Sequence, residues 1–490
     1  MTSTHPPHTS FDLHAAARAA LRKYDLEPDF PADAAHELAT LPSSPAIPTD
    51  STVVDLRSLV WSSIDDDTSK DLDQIEVAET VPAGTKVRVA IADVDAMVPK
   101  GSALDRSAAR NATTVYTGVT TFPMLPLELS TDRTSLAPDQ DRLAVVFEFI
   151  VTPDGSTTGG TVYRARVRNQ AQLAYDSVSA WLAGTGPAPS RVAANDALAA
   201  QLRLQNAAAQ CLRQRRIQRG ALELETIEAS PVMDDGHVVA LRAVKQGAAR
   251  DLIEDFMIAA NAVIATFLDA KGRSAIRRVV RKPKLWPRIV ELARAQGTTL
   301  PATPDGHALA DFLAARRAAD PAGFPDLSLA VIKLLGPGEY VVEPAGDPGA
   351  GHFGLAVPDY THGTAPNRRY ADLITQRLVK AAAGGAPAPY TDAELTAIAA
   401  HCTTQEDNAR RCTRFVHKQA AAVLLAPRIG QVFDAVVTGV TDSGTFARVF
   451  TPPVEGRVMQ SAKHLAVGDR VRVRLTGTNP AQGFIDFVAV

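Results

Sequence analysis

The alternation of apolar and polar positions divides the chain into three regions. From Phe11 to about Leu41, Leu13, Ala16, Ala17, Ala20 and Leu21 recur at helical spacing, and Pro28, Pro31 and Pro42 confine the pattern to a short helical unit. The first ten residues carry no such pattern and read as disordered, while LPSSPAIPTD, residues 41–50, reads as a linker. Between 51 and 185 the pattern turns strand-like. KVRVAIADVDAMV alternates and then runs apolar, and RLAVVFEFIVTPDGSTTGGTVYRARVRNQAQL predicts a strand, a turn at Pro153-Asp154-Gly155 and a second strand. Helices are predicted over 190–218, over 248–270 with Ile253, Met257, Ala260 and Ile264 on the buried face, and at about 370–383 and 391–424. Beyond Pro427, four or five short strands separated by Gly and Asp turns predict a small closed barrel of the OB type.

Composition narrows the class. A chain of 490 residues exceeds one ordinary core, and 46% hydrophobic with 21% charged residues is globular rather than disordered. No apolar run approaches the roughly 18 residues a membrane helix needs. Leu143–Val151, interrupted by Glu148, reads as a buried strand. The N-terminus lacks the basic-then-apolar order of a signal peptide. Three cysteines with no CxxC argue against a zinc site or disulfide framework and fit a reducing cytoplasm. The net charge of −3 runs against a nucleic-acid enzyme, but cations cluster: Arg203, Arg213, Arg215, Arg216 and Arg219, then Arg277, Arg278, Arg281, Lys282 and Lys284, then NARRCTR and RVRVR. One such run is as readily a solvated helix face. Several beside an acidic cluster suggest a channel that attracts a phosphate backbone.

The acidic cluster is SSIDDDTSKDLDQ, residues 62–74, with Asp65, Asp66, Asp67, Asp71 and Asp73 on a loop between apolar strands. The spacing of two between Asp71 and Asp73 aims both to one side of an extended segment. Two carboxylates about 4 Å apart repel by roughly 4 kcal/mol at an effective dielectric near 20, so gathering several requires cations or protons. Hard oxygen donors suit magnesium, or manganese. Such a site suits in-line attack of water on a phosphodiester. An acidic run by itself is more often a solvated turn, and the D-x-D-x-D-G pattern of an EF-hand is missing.

The cluster resembles the T-I-D, five residues, D-x-D-D signature of the RNase II/RNase R (RNB) family, and further segments resemble that family in register. They are AIADVDAMVPKGSALDRSAARNATTVY, FPMLPLELS, QRGALELE, LIEDFMIAAN and HFGLAVPDYTHGTAPNRRYADL. The resemblance implies an α+β catalytic RNB domain over 51–425, a short N-terminal helical region and linker over 1–50, and a C-terminal OB-fold barrel over 426–490. It implies a magnesium-dependent exoribonuclease that degrades single-stranded RNA from the 3′ end to nucleoside 5′-monophosphates, acting as a cytoplasmic monomer with no membrane association. Asp65 and Asp71 correspond to metal-binding aspartates, and Asp73 to the aspartate most important for catalysis. Arg368 corresponds to the arginine supporting the scissile phosphate, with Arg369 beside it as an RNA contact. Tyr116 corresponds to an aromatic that stacks near the 3′ end, Tyr175 to a tyrosine that contacts RNA and aids its selection over DNA, and Glu254 to a glutamate near the terminal nucleotide. In the barrel, Phe433 and Phe446 are expected to stack on bases and Arg448 to contact phosphate.

Two departures stand out. Gln74 occupies the fourth acidic position, offering a carbonyl oxygen to a metal but no charge, and Ala365 and Asn367 replace the usual Ser and Ile. Gln74 supports a rival reading, a catalytically weakened RNA-binding homologue. There is also no room before residue 51 for the two cold-shock domains usual in the family, which suggests a wider channel and RNA with a 3′ overhang next to duplex as a further substrate.

Overall fold

The strands Asp141–Val151 and Thr157–Ala174 form the hairpin expected from their alternation, with the turn where Pro153, Asp154 and Gly155 stand. In the computed structural model, residues 11–45, 52–225, 229–243, 246–347, 349–441, 444–459, 465 and 467–490 are described. The disorder expected of residues 1–10 and half of the 41–50 linker lie outside them. Around the hairpin the sheet runs Val53–Asp55, Thr157–Ala174, Trp61–Asp65, Gln74–Val81, Gly84–Ala92, Asp141–Val151, and the last strand pairs back onto Thr157–Ala174, so the sheet closes on itself. Trp61–Asp65 lies parallel to the long strand, with Asp65 opposite Ala174, and antiparallel to Gln74–Val81. The loop between these two strands is the acidic cluster.

Both faces of Gln74–Ala78 are buried because helices cover the sheet. The helices Asp196–Gln218 and Ala248–Ala270 pack on it and on each other. Ile253, Ala260 and Ile264 are buried as predicted, with Met257 partly so. Tyr370–Ala383 is buried nearly all round. The 34-residue helix Asp392–Leu425 opens on a capping box, Thr391 with Glu394, and receives Leu13–Lys23 in a separate small core. Three helices, Trp286–Ala295, Gly306–Ala319 and Phe324–Leu335, form a further core around Trp286 and Phe312. The C-terminal strands make a closed five-stranded barrel from Val432 to Ala489.

The structure corrects several expectations about exposed cations. Arg213 pairs with Glu223 and Asp251, Arg216 with Asp255, Arg277 with Asp269 and Asp359, Arg278 with Glu406, and Arg281 with Glu339. These five arginines are paired with carboxylates and tie elements together, so they are not the free cations that their sequence suggests. Phe433 lies in the barrel core, 7% exposed, edge-on to Phe487, and has no face free to stack on a base. Arg448 is committed to Asp326 at 2.7 Å, which fastens the barrel to the helix Phe324–Leu335. Phe446 differs: Thr445 and Ala447 point inward, so its ring, half-buried, faces outward.

Candidate active site

Leu72 explains how the loop 66–73 is held. It is 1% exposed, its N–H donates to Ser135 Oγ at 3.2 Å, and its carbonyl accepts from Leu136 at 2.9 Å. With Leu72 driven into the core, the residues on either side, Asp71 and Asp73, turn the other way. Asp73 sits at the foot of the strand Gln74–Val81 and is 1% exposed. Asp65 ends the strand Trp61–Asp65, and its Oδ1 accepts from the Asp66 N–H at 2.7 Å and from Ser69 Oγ at 2.9 Å.

The opposing wall comes from the loop 361–369, which has little regular structure and is held by side chains. Asp372, fully buried in the first turn of Tyr370–Ala383, accepts from the N–H groups of Thr364 and Ala365 at 2.9 and 2.8 Å and from Arg369 Nη2 at 2.7 Å. Thr361 donates to the Ile276 carbonyl, and Gly363 donates to Asn261 Oδ1. A Cβ at Gly363 would come within 2.7 Å of Ile264 Cδ1, so glycine lets the loop settle on the helix. This scaffold delivers the Asn367 N–H to Asp73 Oδ1 at 3.0 Å and Arg368 Nε to Asp73 Oδ2 at 3.3 Å, across 295 residues of sequence.

Electrostatics follow from burial. Burial pushes Asp73 up to about 7, against the lowering influence of Arg368 and the Asn367 N–H. Burial also raises Asp65, against its two hydrogen bonds. Tyr116, 45% exposed, presents its ring to the site and donates from Oη to Asp71 Oδ2 at 3.1 Å; burial of the hydroxyl end and the Asp71 charge raise its pKa. Arg368 retains 42% exposure of its side chain, so its fork is not consumed by Asp73. Asp65, Asp71, Asp73, Arg368 and Tyr116 are therefore gathered in one place, with Gln74 buried at the start of its strand. Tyr175 lies close by, on the residue after the register partner of Asp65. Glu254 is exposed on the first turns of Ala248–Ala270, 3.8 Å from Arg216. Arg369 is turned to Asp372, so its main part is to hold the loop rather than to reach outward.

Sequence reasoning missed Glu76. It is fully buried, neither carboxylate oxygen has a hydrogen-bond partner among the described residues, and burial followed by the charge of Asp65 raises its pKa well above the ordinary value. A charged residue inside the otherwise apolar run Ile75–Ala78 was the available signal. Asp66, in the same acidic run, is bonded to Arg250.

The donors suit a hard divalent cation: they are carboxylate oxygens gathered against their own repulsion, with Asp73 raised by its burial. Among the described residues, no three His, Cys, Asp or Glu side chains converge tightly enough to ligate one ion. Asp71 is turned to Tyr116, and Asp73 to Arg368 and Asn367. The residues fit the ion in kind.

Comparison with known proteins identifies the two domains. The RNB domain family matches residues 53–385, and the RNase II-type exonuclease C-terminal S1 domain family matches 431–490. A relative named Ribonuclease R 1, from Lactococcus lactis subsp. lactis, is 28% identical over 439 residues, covering 87% of this chain and 52% of its own length, so the chain spans about half of that relative. The Mycoplasma genitalium RNase R structure in complex with double-stranded RNA superposes with a TM-score of 0.87 at 24% identity, over 98% of this chain and 84% of that one. Yeast Ssd1, described as a pseudonuclease, has the same fold at a TM-score of 0.72 and 17% identity, over 96% of this chain and 57% of that one. Among the described residues no helix is long and apolar enough to cross a membrane.

Proposed function

The chain belongs to the RNB family, and from that premise we propose that it is a 3′→5′ exoribonuclease that hydrolyses single-stranded RNA to nucleoside 5′-monophosphates. The observation that carries this reading is the contact between Asp73 and Arg368. A buried carboxylate and a half-exposed guanidinium, 3.3 Å apart, are drawn from opposite ends of the domain and held by two separate scaffolds.

Family nucleases are metal-dependent, and magnesium is the ion we propose, with manganese as its substitute. Asp65, Asp71 and Asp73 would hold it, and Gln74 could add a carbonyl oxygen. Bound there, the ion would supply Lewis acidity for attack of water on the phosphodiester. The chain's own residues do the remaining work. Arg368 keeps one nitrogen on Asp73 and presents the rest of its fork to the phosphate, where charge develops in the transition state. Tyr116 offers an exposed ring for the terminal bases, and its hydroxyl restrains Asp71. Tyr175 and Glu254 stay as proposed RNA contacts, and Phe446 is the barrel ring positioned to stack.

We keep 51–425 as the catalytic body, preceded by the helical region 1–50 and followed by the barrel 426–490, and place the enzyme in the cytoplasm as a monomer. RNA with a 3′ overhang beside a duplex is a further proposed substrate, in keeping with the relative solved with double-stranded RNA. Gln74 and the pseudonuclease of the same fold support the second reading, an RNA-binding homologue with weakened catalysis. One experiment separates them. Incubated with 3′-overhang RNA and magnesium, the protein should release mononucleotides. No release in magnesium or manganese, with robust release from Gln74→Asp, would establish the second reading.

A further inference from the structure

Arg250 joins two parts of the site that reach it from different directions. Its guanidinium lies over the Tyr175 ring, 4.1 Å from the centroid, and its Nη2 is 2.5 Å from Asp66 Oδ1. Asp66 in turn orients Asp65: its N–H donates to Asp65 Oδ1, and its carbonyl accepts from Ser69 N–H at 3.0 Å while the Ser69 hydroxyl donates to that same Asp65 oxygen. On the other side Asp65 pairs in register with Ala174, the residue before Tyr175. The contacts close a ring through Asp65, Asp66, Arg250, Tyr175 and Ala174. The base of Arg250 is itself anchored, because the neighbouring Ala249 N–H donates to Ser179 Oγ on the helix Tyr175–Leu182.

An ion pair in which Asp66 is 58% exposed contributes little by itself. The planar guanidinium does more, because it stacks on the phenol while keeping its fork on the carboxylate. A lysine could retain the charge but not both contacts. The Tyr175 hydroxyl lies within electrostatic reach of Asp65, a polar edge to which a ribose hydroxyl can bond and deoxyribose cannot. A site built to bond a hydroxyl rejects the analogue lacking it only while its own polar groups are held in place.

We propose that Arg250 is a positioning residue that sets the distance between the Asp65 end of the acidic loop and Tyr175, and through it the preference for RNA over DNA. This rests on the reading of Tyr175 as an RNA contact. It makes Asp66 part of the device.

The test uses the full chain with Arg250→Ala, Arg250→Lys and Asp66→Ala. Dissociation constants for an RNA and a DNA oligonucleotide of one sequence are measured by fluorescence anisotropy in EDTA, so no turnover is needed. Hydrogen–deuterium exchange is followed over residues 65–72. Arg250→Ala should speed exchange across 66–69 and lower the RNA-to-DNA affinity ratio by about fivefold to tenfold, the scale of one cation–π contact with its ion pair. Asp66→Ala should lower the ratio in the same direction and add little to Arg250→Ala, and Arg250→Lys should fall between, which keeps the test open if the alanine variant folds poorly. Unchanged exchange in Arg250→Ala would overturn the contact. Faster exchange with an unchanged ratio would reduce it to a structural tie and overturn the positioning role. If the wild-type protein binds RNA no better than DNA, the reading of Tyr175 falls and the proposal with it, whereas mononucleotide release tests the exonuclease reading separately.

Discussion

Replacing Asp73 by asparagine should stabilise the protein while abolishing cleavage. Asp73 is 1% exposed, and burial raises its pKa from 3.8 to about 7. A carboxyl raised in the folded state imposes no cost below pH 3.8, where it is protonated folded and unfolded. The cost grows as the pH rises from about 4 to 7 and is complete above 7. At 1.36 kcal/mol per pKa unit it reaches about 4 kcal/mol at pH 8. Asparagine has the same shape, and its Oδ1 can still accept from the Asn367 N–H. It loses Arg368 Nε, whose side chain is 42% exposed and can turn to water at small cost. The expected gain for Asp73→Asn is roughly 2–4 kcal/mol at pH 8, with little difference at pH 4. Urea unfolding in EDTA, followed by tryptophan fluorescence at both pH values, measures it. Magnesium should restore part of the lost stability to the wild type at pH 8 and less to the variant, because the ion binds the folded carboxylates. A gain that is independent of pH, or smaller than about 1 kcal/mol at pH 8, would refute the account of Asp73 as a charge held against its own burial. Retained cleavage would refute its place in the chemistry.

Two further outcomes follow from the geometry. Arg368→Ala should lower kcat by about 100-fold or more while changing RNA affinity far less, because its fork meets charge that develops in the transition state; single-turnover rates against anisotropy titrations decide this, and a pure binding loss would contradict it. Phe433→Ala should destabilise the barrel by about 3–5 kcal/mol, as expected for an emptied aromatic core site, whereas Phe446→Ala should leave stability nearly unchanged and weaken RNA binding by about 1–3 kcal/mol; calorimetry with RNA titration on both variants would expose the opposite assignment.

Local pattern carried the sequence reading a long way. Helical spacing around Ile253, Ala260 and Ile264, the turn at Pro153-Asp154-Gly155, and the switch to short alternating strands after Pro427 all depend on neighbours within a few residues, and each appears where the pattern placed it. The same holds within the acidic loop. The spacing of Asp71 and Asp73 around Leu72 was enough to send both carboxylates to one side, because an apolar residue between them has to be buried.

What depends on distant partners was not legible. Sequence shows Arg213, Arg216, Arg277 and Arg278 as cations but not the carboxylates that neutralise them, which lie up to 128 residues away. It shows Phe433 and Phe446 as alike, although an alternating strand in a closed barrel must bury one face and expose the other, and only the registry tells which. By itself, then, the sequence determined the elements, the family resemblance and the identity of the acidic residues. Tertiary structure alone brought Arg368 to Asp73, raised that carboxyl by burying it, left the Glu76 carboxylate without a hydrogen-bond partner among the described residues, and made Asp66 the anchor of Arg250. The reason is physical: a propensity or a period is set by bonds along the chain, whereas desolvation and Coulomb interaction depend on which distant groups share the space, and folding decides that.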